Sequence, residues 1–249
     1  MIDYSEETTV GGVRAIELYY RNIRNISTGQ TEFYQSRTQL NTPGLGTLMP
    51  ENFRDLAELT TQCNELFKLE LTQALYTCFN FAEKEINFNW ISVYMPVKFL
   101  YESDIDSFLL EIFDRMEIPY NKICFALADK LLAETDGRAA TTIGNLRNRG
   151  YHFMLTDFGG DVCPMMRLAG FPVDYVMLSP EVTYYIGKGT RSDNAVQSII
   201  GFVNDMGSEP IADGVLNSKQ AEELRSFGCM YCAGSNLGKY VPERSIKKK

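Results

Sequence analysis

The chain has 249 residues, a formal net charge of −8, and 45% hydrophobic and 22% charged residues, a length and composition sufficient for one large folded core. The negative charge repels phosphate backbones and anionic lipid, which argues against nucleic-acid and membrane partners. No stretch reaches the ~20 apolar residues of a membrane span and no N-terminal signal pattern is present, so a cytoplasmic protein is expected.

The first predicted elements form a β-hairpin. Two strand-like runs cover residues 13–26 and 30–39, and the residues between them, Ser27-Thr28-Gly29, have the composition of a tight turn. A helical region is predicted from Pro50 to about residue 85, and the apolar run at 90–94 predicts the next strand. From there on, strands and helices are expected to alternate.

The alternation continues to the end of the chain. Ser103 is a candidate N-cap for a helix whose apolar face is Ile105, Phe108, Leu109, Ile112, Phe113 and Met116. Further strands are predicted at 123–127, 152–156, 173–178, 210–212 and 229–233. Further helices are predicted at 138–147, 162–169, 192–206 and 217–227. This order predicts an α/β fold, a (β/α)8 TIM barrel formed as a single domain by residues 1–249, with its first two strands antiparallel.

Functional residues of such a barrel lie at the carboxyl ends of its strands. The residues predicted there are Gln35, Tyr94, Ala126, Thr156 with Asp157, Met177, Asp213 and the Ala233-Gly234 step. Only Asp157 and Asp213 are carboxylates, which is a poor set for a metal. Cys229 and Cys232 have C-x-x-C spacing, but structural zinc needs four ligands and no second pair exists. Strand packing is therefore favoured over metal or redox use of this pair.

Several short motifs occur in a fixed order. Thr156-Asp157-Phe158-Gly159 precedes Phe171-Pro172-Val173-Asp174, and Pro210-Ile211-Ala212-Asp213-Gly214-Val215 precedes Phe227-Gly228-Cys229. From about residue 19 to 242 this series resembles the EAL family, whose segments read DDFG, LPVD, VAEGVET and LGC. The residues 52–58, with Asn-Phe and Leu-Ala-Glu, are similar to its EFIPLAE helix. The resemblance implies a TIM barrel that, in active members, hydrolyses cyclic di-GMP with two Mg²⁺ or Mn²⁺ ions.

The resemblance also implies that most metal ligands have been replaced. The Glu of the EAL signature corresponds to Gln35, the Asn ligand of the next strand to Tyr94, and the Glu after it to Ala126. The remaining replaced positions are Thr156 for the first Asp of DDFG, Met177 for a Lys, Asp213 for a Glu, and Leu216 for the last Glu. The second Asp of DDFG is retained as Asp157. Neutral side chains do not supply the charge that anchors two divalent ions, so these positions are interpreted as a vestigial site, and no metal and no cofactor is predicted.

Three functions remain open on this basis. The first is a catalytically inactive regulatory domain that binds another protein, with a dimer also open. The second is a receptor that binds cyclic di-GMP or another nucleotide without hydrolysis, for which Arg21, Arg37 and Gln39 are the candidate contacts. The third is a residual phosphodiesterase.

Four methionines occur near the former metal site in the sequence: Met154, Met165, Met166 and Met177. They fit either core packing or an adaptable surface for a partner.

Overall fold

The computed structural model describes residues 9–10, 13–133, 137–161 and 163–248. Its strands are β1 (Thr9–Val10), β2 (Val13–Arg14), β3 (Ile16–Asn25), β4 (Thr31–Thr42), β5 (Gly46–Leu48), β6 (Trp90–Tyr94), β7 (Ile123–Ala128), β8 (His152–Phe158), β9 (Tyr175–Leu178), β10 (Glu209–Ala212), β11 (Tyr231–Cys232) and β12 (Val241–Pro242). Its α-helices are α1 (Pro50–Glu58), α2 (Gln62–Glu83), α3 (Ile105–Met116), α4 (Arg138–Asn148), α5 (Pro180–Tyr184), α6 (Thr190–Asp205) and α7 (Ser218–Ser226).

Eight of these strands close into a barrel. Around the ring the order is β3, β11, β10, β9, β8, β7, β6 and β4, and β4 pairs back with β3. Only β3 is antiparallel to its two neighbours in this ring, and the other neighbouring strands run parallel. The α/β barrel with an antiparallel first strand pair is therefore confirmed. The short strands β5 and β12 extend the sheet beside β4 and β3.

The hairpin turn follows the sequence pattern closely. The amide of Gly29 donates to the carbonyl oxygen of Asn25 at 2.8 Å, which closes the turn. Gly29 has a φ of +70°, a left-handed conformation that glycine adopts without steric cost. The side-chain oxygen of Asn25 also accepts the amides of Ser27 and Thr28 at 2.9 and 3.2 Å. The turn therefore sets the register in which Arg21 pairs with Gln35.

The helices cover the outside of the barrel with their apolar faces. On α3 the buried residues include Leu109, Ile112 and Phe113, so the predicted apolar face is confirmed. The predicted cap at Ser103 is wrong by one position. The N-cap is Asp104, whose carbonyl oxygen accepts the amide of Phe108 at 2.9 Å and so begins the helical ladder one residue later. Among the helices of the described ranges, none combines the length and apolar character needed to cross a bilayer.

Two predicted helical regions differ in the structure. The region from Pro50 is divided into α1 and α2 because Thr60 ends the first helix: its hydroxyl donates to the carbonyl of Ala57 at 3.1 Å and accepts the amide of Gln62 at 3.2 Å. The helix predicted at 162–169 is a 3₁₀ segment at Met165–Gly170, enclosed by prolines at 164 and 172. Residue 162 lies outside the described residues.

Candidate functional site

The amino end of the barrel interior is filled by aromatic rings. Phe33 stacks on Trp90 with ring centroids 4.1 Å apart, and Tyr175 and Tyr231 meet Phe33 edge-on at 5.4 and 4.9 Å. We call these four residues the aromatic floor. Above them lie smaller buried side chains, including Cys124, Ala126 and Met154. This apolar filling leaves the carboxyl ends of the strands, the mouth of the barrel, as the place for polar chemistry.

The centre of the mouth is occupied by an arginine. Arg21 on β3 donates from Nε to Oε1 of Gln35 at 2.7 Å and from one terminal nitrogen to Oδ2 of Asp213 at 2.5 Å. The side chains of Arg21 and Asp213 are only 11% and 15% exposed. Burial alone would lower the pKa of Arg21, but Tyr240 and Asp213 outweigh burial and raise it. The guanidinium is therefore a fixed internal cation.

Tyr240 closes over this arginine. Its hydroxyl donates to Oε1 of Gln35 at 2.9 Å, and its ring centroid lies 4.9 Å from the guanidinium carbon of Arg21 and 5.4 Å from that of Arg37. Burial raises the pKa of Tyr240 to about 12. The next residue, Val241, begins β12 and pairs with β3. The segment after β11 is thus tied along β3 in a position that directs Tyr240 into the mouth.

Gln35 and Asp213 have their oxygens engaged by protein groups. Oε1 of Gln35 accepts from both Arg21 and Tyr240, while its Nε2 donates to the sulfur of Met177 at 3.4 Å. The second carboxylate oxygen of Asp213 accepts the amide of Gly214 at 2.6 Å. We call Arg21, Gln35, Met177, Asp213 and Tyr240 the mouth network. Direct side-chain contacts join all five residues.

Tyr94 belongs to a second network beside the first. Its hydroxyl donates to Glu58 at the end of α1, and its ring lies 4.1 Å from the guanidinium carbon of Arg54. Arg54 in turn donates to the fully buried Glu70 at 2.8 Å and to Thr38 at 2.9 Å. Burial, and then the bond to Glu58, raise the pKa of Tyr94. The side-chain oxygen of Gln35 is bound by Arg21 and Tyr240, not by Tyr94.

The other predicted positions lie around these networks. Ala126 is 6% exposed in the barrel interior, and the hydroxyl of Thr156 donates to the carbonyl of Leu127 at 3.3 Å. Asp157 is exposed, with a left-handed φ of 59°, an uncommon conformation for a residue other than glycine. Leu216 is 51% exposed, and its amide donates to Gln220 at 2.9 Å. The mouth network therefore gathers Gln35, Met177 and Asp213 but not these residues.

The two remaining candidate ligand contacts lie further along β4. Arg37 pairs with Glu51 of α1 at 2.5 Å. Gln39 is placed opposite Glu17 in the hairpin, four residues beyond Gln35. Sequence reasoning missed Tyr240, because the strand that follows it, β12, has only two residues and so has no periodicity to detect. It also missed the pairing of Arg21 with Asp213, which are 192 positions apart.

The mouth does not fit two divalent metal ions. Within the described ranges, no three His, Cys, Asp or Glu side chains come close enough together to hold a metal ion. Divalent magnesium and manganese prefer several oxygen ligands with negative charge, whereas the carboxylate of Asp213 is already neutralised by a guanidinium. A metal at Asp213 would stand next to that positive charge. The described residues therefore hold a built-in cation where the resemblance implies metals.

The chain is similar to one protein family and to two named relatives over most of its length. The model of the EAL domain matches residues 12–240. The chain is 23% identical over 220 residues to the cyclic di-GMP phosphodiesterase PdeR of Escherichia coli K12, covering 88% of this chain and 33% of PdeR. It is also 23% identical over 241 residues to the cyclic di-GMP phosphodiesterase RocR of Pseudomonas aeruginosa, covering 89% of this chain and 60% of RocR. The chain thus spans a third to three fifths of these relatives.

A solved structure has the same fold. The EAL domain of FimX from Pseudomonas aeruginosa, bound to cyclic di-GMP, superposes with a TM-score of 0.79 at 13% identity, covering 92% of this chain and 91% of that one. At this identity the match establishes the architecture alone.

Proposed function

This chain belongs to the EAL domain family, and we propose that it is a member that does not hydrolyse cyclic di-GMP and instead regulates by binding another protein. The membership places it in a family of cyclic di-GMP signalling proteins, since PdeR and RocR carry the name of cyclic di-GMP phosphodiesterases. The lack of turnover and the protein partner are the parts that go beyond that membership.

One observation carries the proposal: the buried pair of Arg21 and Asp213 at the centre of the mouth. A dinuclear site needs carboxylates that are free to bind metal, because the ions must lower the pKa of a bound water and neutralise the phosphate. Here the carboxylate of Asp213 is paired, and both lone pairs of the Gln35 side-chain oxygen accept hydrogen bonds from protein groups. Loading metal would require breaking these bonds first.

A receptor for cyclic di-GMP is the second candidate, because the structurally similar FimX domain is bound to that nucleotide. Such a ligand carries two phosphate charges, which need donors. In this chain Arg21 and Arg37 are paired with Asp213 and Glu51, and the ring of Tyr240 lies against both guanidinium groups. Nucleotide binding would have to displace these partners, so protein binding is the better supported function.

A titration with cyclic di-GMP tests the proposal. Purified protein is titrated by calorimetry with and without Mn²⁺, the linear product is sought by chromatography, and RocR serves as the active control. We expect neither heat of binding nor product. Metal-dependent product would overturn the proposed loss of activity. Binding without product would overturn the protein-binding role in favour of the receptor.

A further inference from the structure

We propose, resting on the proposed function, that the junction of α1 and α2 is the docking surface for that partner. The occupant is a protein segment that carries a lysine or arginine next to apolar residues. Its cationic side chain enters a pocket beside α2, while its apolar residues cover two exposed leucines at the carboxyl end of α1, Leu56 and the C-cap residue Leu59.

The end of α1 presents leucines to solvent. Phe53 is the buried residue of this helix, whereas Leu56 and Leu59 are 68% and 76% exposed. They are three positions apart and so project from neighbouring points of the same helical face. Leu59 lies two residues before Thr61, which lines the pocket at the start of α2. The apolar face and the pocket are therefore continuous along the chain.

The pocket lies between α2, α3 and the 3₁₀ segment Val97–Tyr101, and has a volume of about 160 Å³. Its aromatic lining comes from Phe99 and Phe108, whose ring centroids are 5.7 Å apart. Its carboxylates are Glu65, Glu102 and Asp104. Aromatic faces and carboxylates both attract ammonium and guanidinium groups, so this lining selects a cationic side chain.

A lysine of the protein already shows this selectivity. The ammonium of Lys68 lies 5.4 Å from the ring centroid of Phe108 and 2.8 Å from a carboxylate oxygen of Glu65. The hydrogen bond to Glu65 raises the pKa of Lys68, and Asp104 contributes to the rise. Three carboxylates against this one ammonium leave the lining with a net charge of −2. The nearby Lys98, which donates to the carbonyl of Thr60 at 3.5 Å, reduces but does not cancel that excess.

The charge and shape of this surface favour a protein segment over the other occupants. A nucleic acid would be repelled by the carboxylates and by the overall charge of −8. A free amine would fill the pocket but leave Leu56 and Leu59 exposed. The four methionines considered for a partner surface do not form a continuous thioether patch, because Met154 and Met177 are 0% and 2% exposed, Met165 packs against the core, and of the four only Met166 is largely exposed. A basic, partly apolar segment satisfies both the pocket and the leucines.

Selection from a random peptide library tests the surface. Twelve-residue peptides displayed on phage are selected on the immobilised full chain, and the winners are synthesised and titrated by fluorescence anisotropy. We expect the winners to be enriched in Lys or Arg beside apolar residues. The double variant E102Q/D104N should weaken their binding by roughly tenfold or more, because it removes two of the carboxylates that a bound cation contacts. Leu59→Ser should weaken it by a similar factor.

The control variant D205N/E222Q removes two exposed carboxylates from α6 and α7 and should leave affinity within about twofold, since it changes the net charge equally at another place. The proposal would be overturned if the selected peptides bound E102Q/D104N and Leu59→Ser with the same affinity as the original chain. It would also be overturned if the selection yielded no binding peptides, or peptides without enrichment in Lys or Arg. None of these results depends on the cyclic di-GMP titration. Failure of the docking surface is thus distinguishable from failure of the proposed function.

Discussion

The two ends of the barrel interior are held together by different kinds of contact. At the aromatic floor, Phe33 and Trp90 stack face to face and are 2% and 1% exposed. At the mouth network, β3 and β4 carry Arg21 and Gln35, joined by directional hydrogen bonds to Asp213 and Tyr240. Apolar packing depends mainly on buried area, whereas a buried charge depends on one particular partner. The structure of the floor therefore follows from the pattern of hydrophobic residues, whereas the structure of the mouth depends on individual hydrogen-bonded pairs.

The largest expected effect is at the floor. Trp90→Ala removes a buried ring and leaves a cavity against Phe33, so the free energy of unfolding should fall by about 4 kcal/mol. Equilibrium urea unfolding followed by circular dichroism measures the change. Trp90→Phe keeps an aromatic ring and is the matched control, with a clearly smaller loss expected. Equal losses for the two variants would contradict a floor held by packing.

At the mouth, Arg21→Met should cost about 3 kcal/mol because it leaves the carboxylate of Asp213 buried without a counter-charge. Adding Asp213→Asn removes that charge and should recover part of the loss, which a double-mutant cycle in urea measures. Arg37→Met is the matched control. Its partner Glu51 is 63% exposed, so its loss should stay below about 1 kcal/mol. Additive single losses would contradict the pairing of Arg21 with Asp213.

A charged cluster around Asp174 also lies at the floor end, and it predicts a pH dependence. Burial would raise the pKa of Asp174, but interactions with His152 and Arg147 outweigh it and hold the pKa below the ordinary value of 3.8. A carboxyl with a lowered folded pKa stabilises the fold fully above its unfolded pKa, and this contribution is lost as the pH falls through the folded pKa. Asp174→Asn should therefore cost about 1.5 kcal/mol at pH 7 and less below pH 4.

Unfolding in urea at pH 7, 4 and 3 measures this difference, with Asp205→Asn at an exposed helix position as the control. If Asp174→Asn were equally destabilising at all three values of pH, the carboxylate would not be the group responsible.

The sequence predicted the barrel better than the mouth for a physical reason. The run at β6 was predicted to the residue, because a buried parallel strand is a short apolar run whatever its neighbours are. The sequence also placed Gln35, Met177 and Asp213 at strand ends. Met177 and Asp213 lie at the ends of β9 and β10, whereas Gln35 lies within β4, at the point where its pairing with β6 ends. It did not predict that Arg21 would bind two of them or that Tyr240 would cover them. Such contacts join distant parts of the chain and leave no periodic signal.

The smallest expected effect concerns Gln35→Glu, which returns the signature carboxylate to the mouth. The new carboxylate would lie next to Arg21, which already pairs with Asp213, so the guanidinium would be shared between two acids and no metal would be required. A dinuclear site also depends on its ligands as a set. We therefore expect no detectable hydrolysis of cyclic di-GMP by this variant with Mn²⁺.

A complete test of whether hydrolysis can be restored also replaces Arg21, the internal cation. It combines Arg21→Gln with the family's residues at Gln35, Tyr94, Ala126, Thr156, Met177, Asp213 and Leu216. Without metal this variant should melt at a lower temperature than the original chain, because it gathers carboxylates that no longer have a counter-charge. Mn²⁺ should recover part of the loss, since an ion that binds only the folded state stabilises it by mass action.

Gln35→Glu by itself should show no such recovery of the melting temperature with Mn²⁺. If Gln35→Glu alone hydrolysed the nucleotide, the guanidinium of Arg21 would not block the site, and the chain would be an enzyme one substitution away from activity.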